Sequence, residues 1–338
     1  MKTTQAAIIG CGTIHTLHVE AIQSNPACQL RAIVETDAAK GLALAESYGC
    51  RYYADYREML GDNEIDVVHI CTPHFAHKEI IIAALAAGKH VFTEKPVALN
   101  PGELKEIKHA LEGATTRLGV CYQNRLNPSS QKMKALLQTN TFGKMLSVKA
   151  VLTWSRSHVY YAQSPWRGRF ATEGGSLLIN QAIHTLDLMQ WLAGGVKSVK
   201  GVVESSFLSG STQAEDTAIA NMELANGARG IFYATNCNTI DSPLLLEIHC
   251  ENGLLQLHHN NLWLISGDKK DFLASDEAPQ EGQKCYWGSS HQQAINNFYS
   301  DLQNKNNHHY VDIHQAEISL RMVEAIYQSS ITRNWIEI

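Results

Sequence analysis

Residues 6–20 read AAIIGCGTIHTLHVE, and the order of residue types in this stretch decides the fold of the first half of the chain. A short aliphatic run, 6–9, has the length of a buried strand. Gly10-Cys11-Gly12 interrupts it, and a helix-length segment, 14–24, follows. The alternation continues: short strand-like runs at 30–34, 67–71, 91–93 and 118–121 are separated by helical patterns at 38–48, 76–87 and 101–111. Strand, helix, strand repeated in this way predicts an α/β fold, a doubly wound parallel sheet of Rossmann type, with ligands bound beyond the carboxyl ends of the strands.

Those strand ends carry chemistry. Gly10 and Gly12 match the first two glycines of GxGxxG: one permits the tight turn, and the other lets the backbone approach a pyrophosphate at the N-terminus of the helix opened by Thr13 and Ile14. The third position is His15, so the match is incomplete. Glu35 closes the second strand, where a carboxylate accepts from a ribose 2′-hydroxyl and repels a 2′-phosphate, which favours NAD and disfavours NADP. Thr72, Pro73, His74 and His77 follow the strand at 67–71, and Glu94-Lys95-Pro96 ends the next one; all are candidates to line the cofactor. A lysine there is ordinarily a solvated charge, but at the mouth of a cleft it can polarise a substrate oxygen.

After residue 122 the rhythm changes. Strand-like runs at 145–153, 199–208, 216–224, 228–237, 244–250, 253–258 and 261–265, mostly without intervening helices, predict an α+β domain with a large, open, mostly antiparallel sheet. A polar loop is expected at 267–288, and closing helices at 289–304 and 313–330. The expected division is therefore a cofactor domain, 1–122, and a substrate-binding and oligomerisation domain, 123–338, whose last helices have the option of packing back on the first.

Within the second domain, residues 174–191 read GGSLLINQAIHTLDLMQW. On a continuous helix Asn180, His184 and Asp187 form one polar stripe in an otherwise apolar surface, so the stripe is either a satisfied core network or a functional face. Asp187 is placed to orient the His184 ring or to cap that network. Asn124 and Arg125 emerge at the end of the last cofactor-domain strand, and Tyr160, Trp166 and Arg167 precede the histidine helix. Amide and guanidinium donors suit a ligand rich in hydroxyls, and aromatic rings suit the C–H faces of a sugar.

Composition narrows the function classes. A net charge of −5 without a dense Lys/Arg block argues against nucleic-acid or anionic-membrane surfaces. No run approaches the roughly 20 apolar residues of a membrane span, and the N-terminus lacks a signal-peptide pattern, so the cytoplasm is the expected location. The eight cysteines include no CxxC pair and are expected to be reduced thiols; no metal is expected, and the pairs His258-His259 and His308-His309 are read as surface or core histidines.

In that order, GCGTIHTLH, TPHFAH, GKHVFTEKP and GGSLLINQAIHTLD resemble the glucose-fructose oxidoreductase / inositol dehydrogenase / MocA family of nicotinamide-dependent sugar and polyol dehydrogenases. The resemblance implies catalysis by Lys95 of the EKP motif with His184, and homodimers or homotetramers formed through the C-terminal sheet. The family's usual aspartate four residues before the histidine is replaced here by Asn180, as in a subgroup reading NQxIH. An amide orients by neutral hydrogen bonds but cannot relay a proton as a carboxylate does. The resulting expectation is an NAD-dependent dehydrogenase acting on a secondary hydroxyl of a sugar, inositol-like polyol or sugar derivative. Two alternatives stay open: a catalytically silent dinucleotide-binding regulator, and a glycoside-cleaving enzyme that oxidises its substrate transiently with tightly held NAD.

Overall fold

The computed structural model describes residues 3–276, 290–304 and 307–338, which form two compact units. The first unit comprises Met1–Tyr122 and His291–Glu317. Its sheet contains β1 (Thr4–Ile9), β2 (Cys28–Val34), β3 (Arg51–Tyr53), β4 (Val67–Ile70), β5 (His90–Thr93) and β6 (Leu118–Val120), in the order β3-β2-β1-β4-β5-β6 and parallel throughout. The order reverses at β1/β4, which is where a doubly wound sheet opens a crevice for ligand. Helices α1 (His15–Ser24), α2 (Ala38–Tyr48), α3 (Tyr56–Leu60), α4 (His77–Ala86) and α5 (Pro101–Glu112) provide the crossovers. Strand β3 and helix α3 were not in the sequence expectation. Both are too short to show a period, and β3 is an edge strand with only intermediate burial at Tyr52 and Tyr53.

The second unit comprises Gln123–Ser290 and Ile318–Ile338. After α6 (Pro128–Gln138) come β7 (Met145–Thr153), α7 (His158–Ala162), α8 (Phe170–Glu173) and α9 (Ile183–Ala193). The strands β8 (Val196–Glu204), β9 (Thr217–Leu224), β10 (Arg229–Thr235), β11 (Leu245–Cys250), β12 (Gly253–His258), β13 (Asn261–Ser266), β14 (Lys269–Ser275) and β15 (Ile336–Glu337) complete a nine-stranded sheet with β7. Its order is β14-β13-β12-β11-β7-β10-β9-β8-β15; all pairs are antiparallel except β7 with β10. Alternation along β9 and β10 buries Ala218, Ala220, Met222, Phe232 and Ala234 and leaves Ile219 and Ile231 half exposed on the opposite face.

The loop expected at 267–288 begins instead with β14, a polar edge strand whose side chains are mostly exposed and carry no hydrophobic alternation; residues 277–288 lie outside the described residues. Two closing helices are present as α10 (His291–Gln303) and α11 (Ile313–Thr332). Cys11, Cys28, Cys71 and Cys250 are buried thiols outside disulfides, and Cys285 lies outside the described residues. Among the described residues no helix is long and apolar enough to cross a membrane.

Candidate active site

In the first unit the strand ends of β1, β2, β4 and β5 carry the expected cofactor residues. Gly10 has φ +89°, and a Cβ on it would lie 2.9 Å from the Thr72 backbone nitrogen, so the close pass of the two strand ends requires glycine. Helix α1 begins with no side chain capping it and no acidic residue in its first turn, which leaves its N–H groups and dipole to an anion. His15, where the third glycine would stand, is buried, with Nδ1 against the Gly12 carbonyl and Nε2 3.0 Å from Tyr48 Oη. Burial holds its pKa below the ordinary value, and the neutral ring donates to Gly12 and accepts from Tyr48, bracing the glycine turn from behind.

Glu35 accepts from Lys40 Nζ at 2.9 Å and from the Asp37 N–H at 3.2 Å. Partial burial pushes its carboxyl up, but the bonds from Lys40, Asp37 and Thr36 outweigh this and keep it below the usual carboxylate range. Thr72 Oγ1 is buried with no hydrogen-bond partner among the described residues. A glycine cradle, an uncapped helix terminus, an orphaned hydroxyl and an ionised acid at the second strand end together fit a dinucleotide with a free ribose hydroxyl.

Two expected cofactor residues have other work. His77 is fully buried between two carbonyls, 2.7 Å from that of Pro96 and 3.0 Å from that of Thr72. Burial keeps its pKa low, so the neutral ring donates to one of them and ties the β4 end to the cis Lys95–Pro96 peptide. Glu94 turns inward: its Oε1 is 3.1 Å from His18 Nε2, His18 Nδ1 is 2.9 Å from His69 Nδ1, and His69 Nε2 is 2.8 Å from Tyr299 Oη. Burial disfavours the Glu94 anion, yet the bond and charge of His18, with His291 and Lys95 nearby, hold it well below the usual range. These two residues brace the EKP strand end from inside. The missed network members, His18, His69 and Tyr299, look like ordinary helix and strand residues in the sequence. His74 is buried beside His77, Pro73 opens its short turn, and Lys95 is half-buried.

In the second unit the polar stripe divides. Residues Leu177–Gln181 form a π turn, with the Ala182 N–H bonded to the Leu177 carbonyl, and the α-helix begins only at Ile183. The continuous helix expected across this stretch is therefore broken immediately before His184, a feature that often marks functional sites. His184 is half-buried, while Asp187 is fully buried and accepts from Arg125 Nε and Nη2, both at 2.7 Å, and from Ser319 Oγ at 2.8 Å. Arg125, expected to bind substrate, is instead the bidentate partner of Asp187, and Asp187 orients Arg125 rather than His184.

Asn180 donates from Nδ2 to Glu173 Oε1, and the other oxygen of Glu173 accepts from the Gly168 N–H. Gln181 is fixed at both ends: Oε1 accepts from Asn236 at 3.1 Å and Nε2 donates to Tyr160 Oη at 3.1 Å. Arg167 lies over the Tyr160 ring, 4.1 Å from its centroid, and donates to the Tyr160 carbonyl; Trp166 is half-buried next to it. The Tyr160 ring expected to face a sugar thus stacks on a guanidinium. The glycine pair that opens the stretch has a packing reason, since a Cβ on Gly175 would stand 2.2 Å from Tyr327 Oη.

His184 and Gln181 line a cavity of about 220 Å³ together with Asn124, Asn127, Ser130 and Trp154. Asp241, Ser242, His259, Asn260 and Asp276 line it from the sheet side. Asn124 Oδ1, Asn127 Oδ1 and Ser130 Oγ are buried with no hydrogen-bond partner among the described residues. Asn127 occupies the N-cap position of α6 without capping it; Asp276, at the end of β14, takes the Ser129 N–H at 2.8 Å and hydroxyl at 2.7 Å. His259 and Asn260 both have positive φ, 52° and 60°, and make the two-residue β12–β13 turn on the cavity wall. Of these, His184 and, in the stretch that follows the last cofactor-domain strand, Asn124 and Asn127 were expected from the sequence. The rest come from separate strand ends and loops that only the folded sheet brings together.

The family model described as "Oxidoreductase family, NAD-binding Rossmann fold" matches residues 4–122, and that of the GFO/IDH/MocA C-terminal domain matches residues 130–256. An uncharacterised oxidoreductase of Synechocystis sp. is 30% identical over 269 residues, covering 76% of this chain and 72% of its own. A levoglucosan dehydrogenase of Pseudarthrobacter phenanthrenivorans is 26% identical over 327 residues, covering 86% of this chain and 82% of its own. Among solved structures, the WlbA dehydrogenase of Bordetella pertussis in complex with NADH and UDP-GlcNAcA superposes with a TM-score of 0.86 at 27% identity, covering 100% of this chain and 99% of that one.

Proposed function

Because the chain belongs to the GFO/IDH/MocA family of NAD-binding oxidoreductases, we propose that it oxidises a secondary hydroxyl of a neutral, hydroxyl-rich sugar or polyol. Bound NAD supplies the hydride acceptor, held by Gly10, Gly12, Thr13, Ile14, Glu35 and Thr72. His184 takes the proton of the reacting hydroxyl, Lys95 stabilises the charge that develops on that oxygen, and Asn180 holds a substrate hydroxyl.

The observation that carries this reading is the cavity beside His184, with its three orphaned polar atoms. Buried polar groups of this kind need a partner, and the hydroxyls of a polyol both donate and accept. Among the described lining residues there is no lysine or arginine, and the two carboxylates are already engaged, Asp276 by Ser129 and Asp241 by the Ser155 N–H and Arg156. That lining favours an uncharged ligand over a phosphorylated or nucleotide-linked one. Curated relatives include levoglucosan and myo-inositol 2-dehydrogenases, in keeping with a neutral ligand.

The test is a panel of neutral hexoses, anhydrosugars and inositols beside sugar phosphates and UDP-linked sugar acids, followed by NADH absorbance. Reduction of NAD by a neutral member is expected. Turnover confined to UDP-linked acids contradicts the ligand class, and no NAD reduction by any member contradicts the dehydrogenase reading.

A further inference from the structure

The first unit contains a cluster of metal-ligating side chains that the proposed reaction does not use. Glu94 just past β5, Cys121 just past β6 and His291 at the start of α10 each present one donor atom, and the three atoms lie within 4.8 Å of one another. All three residues are buried. His291 is 4% exposed, and its Nδ1 is buried with no hydrogen-bond partner among the described residues. A polar ring has thus been carried into the core beside a carboxylate and a sulfur without a protein group to satisfy that nitrogen, which is what a missing ligand leaves behind. We propose that Glu94, Cys121 and His291 bind one divalent ion of the zinc type, which pins the start of α10 to the ends of β5 and β6.

The donor set selects the ion. A carboxylate oxygen, a cysteine sulfur and an imidazole nitrogen are all zinc ligands, whereas magnesium and calcium take oxygen almost alone. Bond lengths of about 2.0–2.3 Å around a tetrahedral zinc put its donors roughly 3.3–3.8 Å apart, so each donor here has to move inward by about an ångström or less. Charge balances as well. Glu94 brings one negative charge, and Cys121, which lies outside disulfides, brings the second by binding as the thiolate and releasing its proton. Together they neutralise a dication in a site closed to water. Burial pushes the His291 ring down to about 4, which keeps it in the neutral form that binds metal.

The carboxylate is already oriented from behind. His18 holds Glu94 Oε1 at 3.1 Å, His69 backs His18 at 2.9 Å, and Tyr299 backs His69 at 2.8 Å. With both rings neutral, donation runs one way, from the Tyr299 hydroxyl to His69, to His18 and on to Glu94, and ligating carboxylates are commonly fixed by such outer bonds. The three ligands come from separate elements far apart in the chain, so no short spacing of the CxxC kind announces them, and the sequence-based expectation of no metal had nothing local to read. Burial of all three suits a structural ion, and Glu94 directly precedes Lys95, so the ion would steady the strand end that carries the lysine.

Metal content tests this without any substrate. Full-length protein purified without a polyhistidine tag and dialysed against metal-free buffer should carry about one zinc per chain by plasma mass spectrometry. Cys121→Ser and His291→Leu should each keep less than about a tenth of it, while Cys250→Ser, which removes a buried thiol of the second unit, should keep it all. After removal of zinc with a chelator, Co²⁺ added to the wild type should give the near-ultraviolet thiolate-to-cobalt band and the visible bands of tetrahedral cobalt, and the first should vanish in Cys121→Ser. Zinc-loaded wild type should melt several degrees above the chelated protein, a gap that His291→Leu should close. Zinc retained in full by Cys121→Ser overturns the proposal. So does a wild type that holds no zinc and gives no thiolate-to-cobalt band, a result that stands even where neither variant folds.

Discussion

Glu35 at the end of β2 and Glu173 at the end of α8 are both glutamates held by hydrogen bonds from neighbouring turns, yet their surroundings push them in opposite directions. Glu35 is partly exposed and has Lys40 for a partner, which keeps it ionised below the usual carboxylate range. Glu173 is buried, accepts from the Gly168 N–H and the Asn180 amide, and has Glu215 nearby; burial carries its carboxyl up to about 7. The first region offers a fixed charge to a cofactor ribose. The second holds a carboxyl that titrates near neutral pH.

The sharpest break in this comparison comes from the residues that do chemistry. His184→Ala should lower kcat by about 10³-fold, as expected for loss of a general base, with little change in melting temperature. Asp187→Ala, three residues further along the same helix, should do the reverse. It removes the bidentate carboxylate partner of the buried Arg125 guanidinium, which costs roughly 3–5 kcal/mol of stability; thermal or urea unfolding would register it. A His184→Ala variant that unfolds as readily would return His184 to the core network.

Next in size is cofactor choice. Glu35→Ser removes the charge that repels a 2′-phosphate while Lys40 remains beside it, so the NAD-over-NADP preference should fall by about tenfold or more. Titration with both nucleotides measures it, and an unchanged ratio would remove Glu35 from the cofactor site.

The smallest effects are in stability against pH, and they carry opposite signs. The raised Glu173 pKa, about 7 against an ordinary 4.5, means that the folded state holds a proton the unfolded chain releases. Its contribution is fully present below about 4.5 and is lost as pH rises through about 7. Glu215, raised to about 6 by burial, adds to the same slope. Glu35, held low, contributes above its ordinary value and loses that contribution as pH falls. Melting curves should therefore flatten on the neutral side in Glu173→Gln and on the acid side in Glu35→Gln, by a few degrees in each case.

The two regions also differ in how much of them could be read from the chain. The glycine turn, Glu35 and Thr72 are local signals, because backbone conformation and strand ends are written in consecutive residues. Ser130, Asp241, His259 and Asp276 meet only after β7, β11, β12, β13 and β14 pair, so spacing along the chain says nothing about their meeting. Arg125 and Asp187 illustrate the opposite failure. Both have the right residue type for a site, and burial turns them into partners for one another. The polar stripe on α9 was visible, but the π turn that separates Asn180 from the helix of His184 was not, since an extra residue in a turn leaves the apolar pattern intact.

The most direct test of the central claim is NADH formation by the wild-type chain, Lys95→Ala and His184→Ala on whichever neutral sugar or polyol the panel selects, with NAD binding measured in parallel. The account predicts turnover by the wild type, losses of about 10²–10⁴-fold in both variants, and NAD affinity retained in His184→Ala. Undiminished NADH formation by His184→Ala would contradict it.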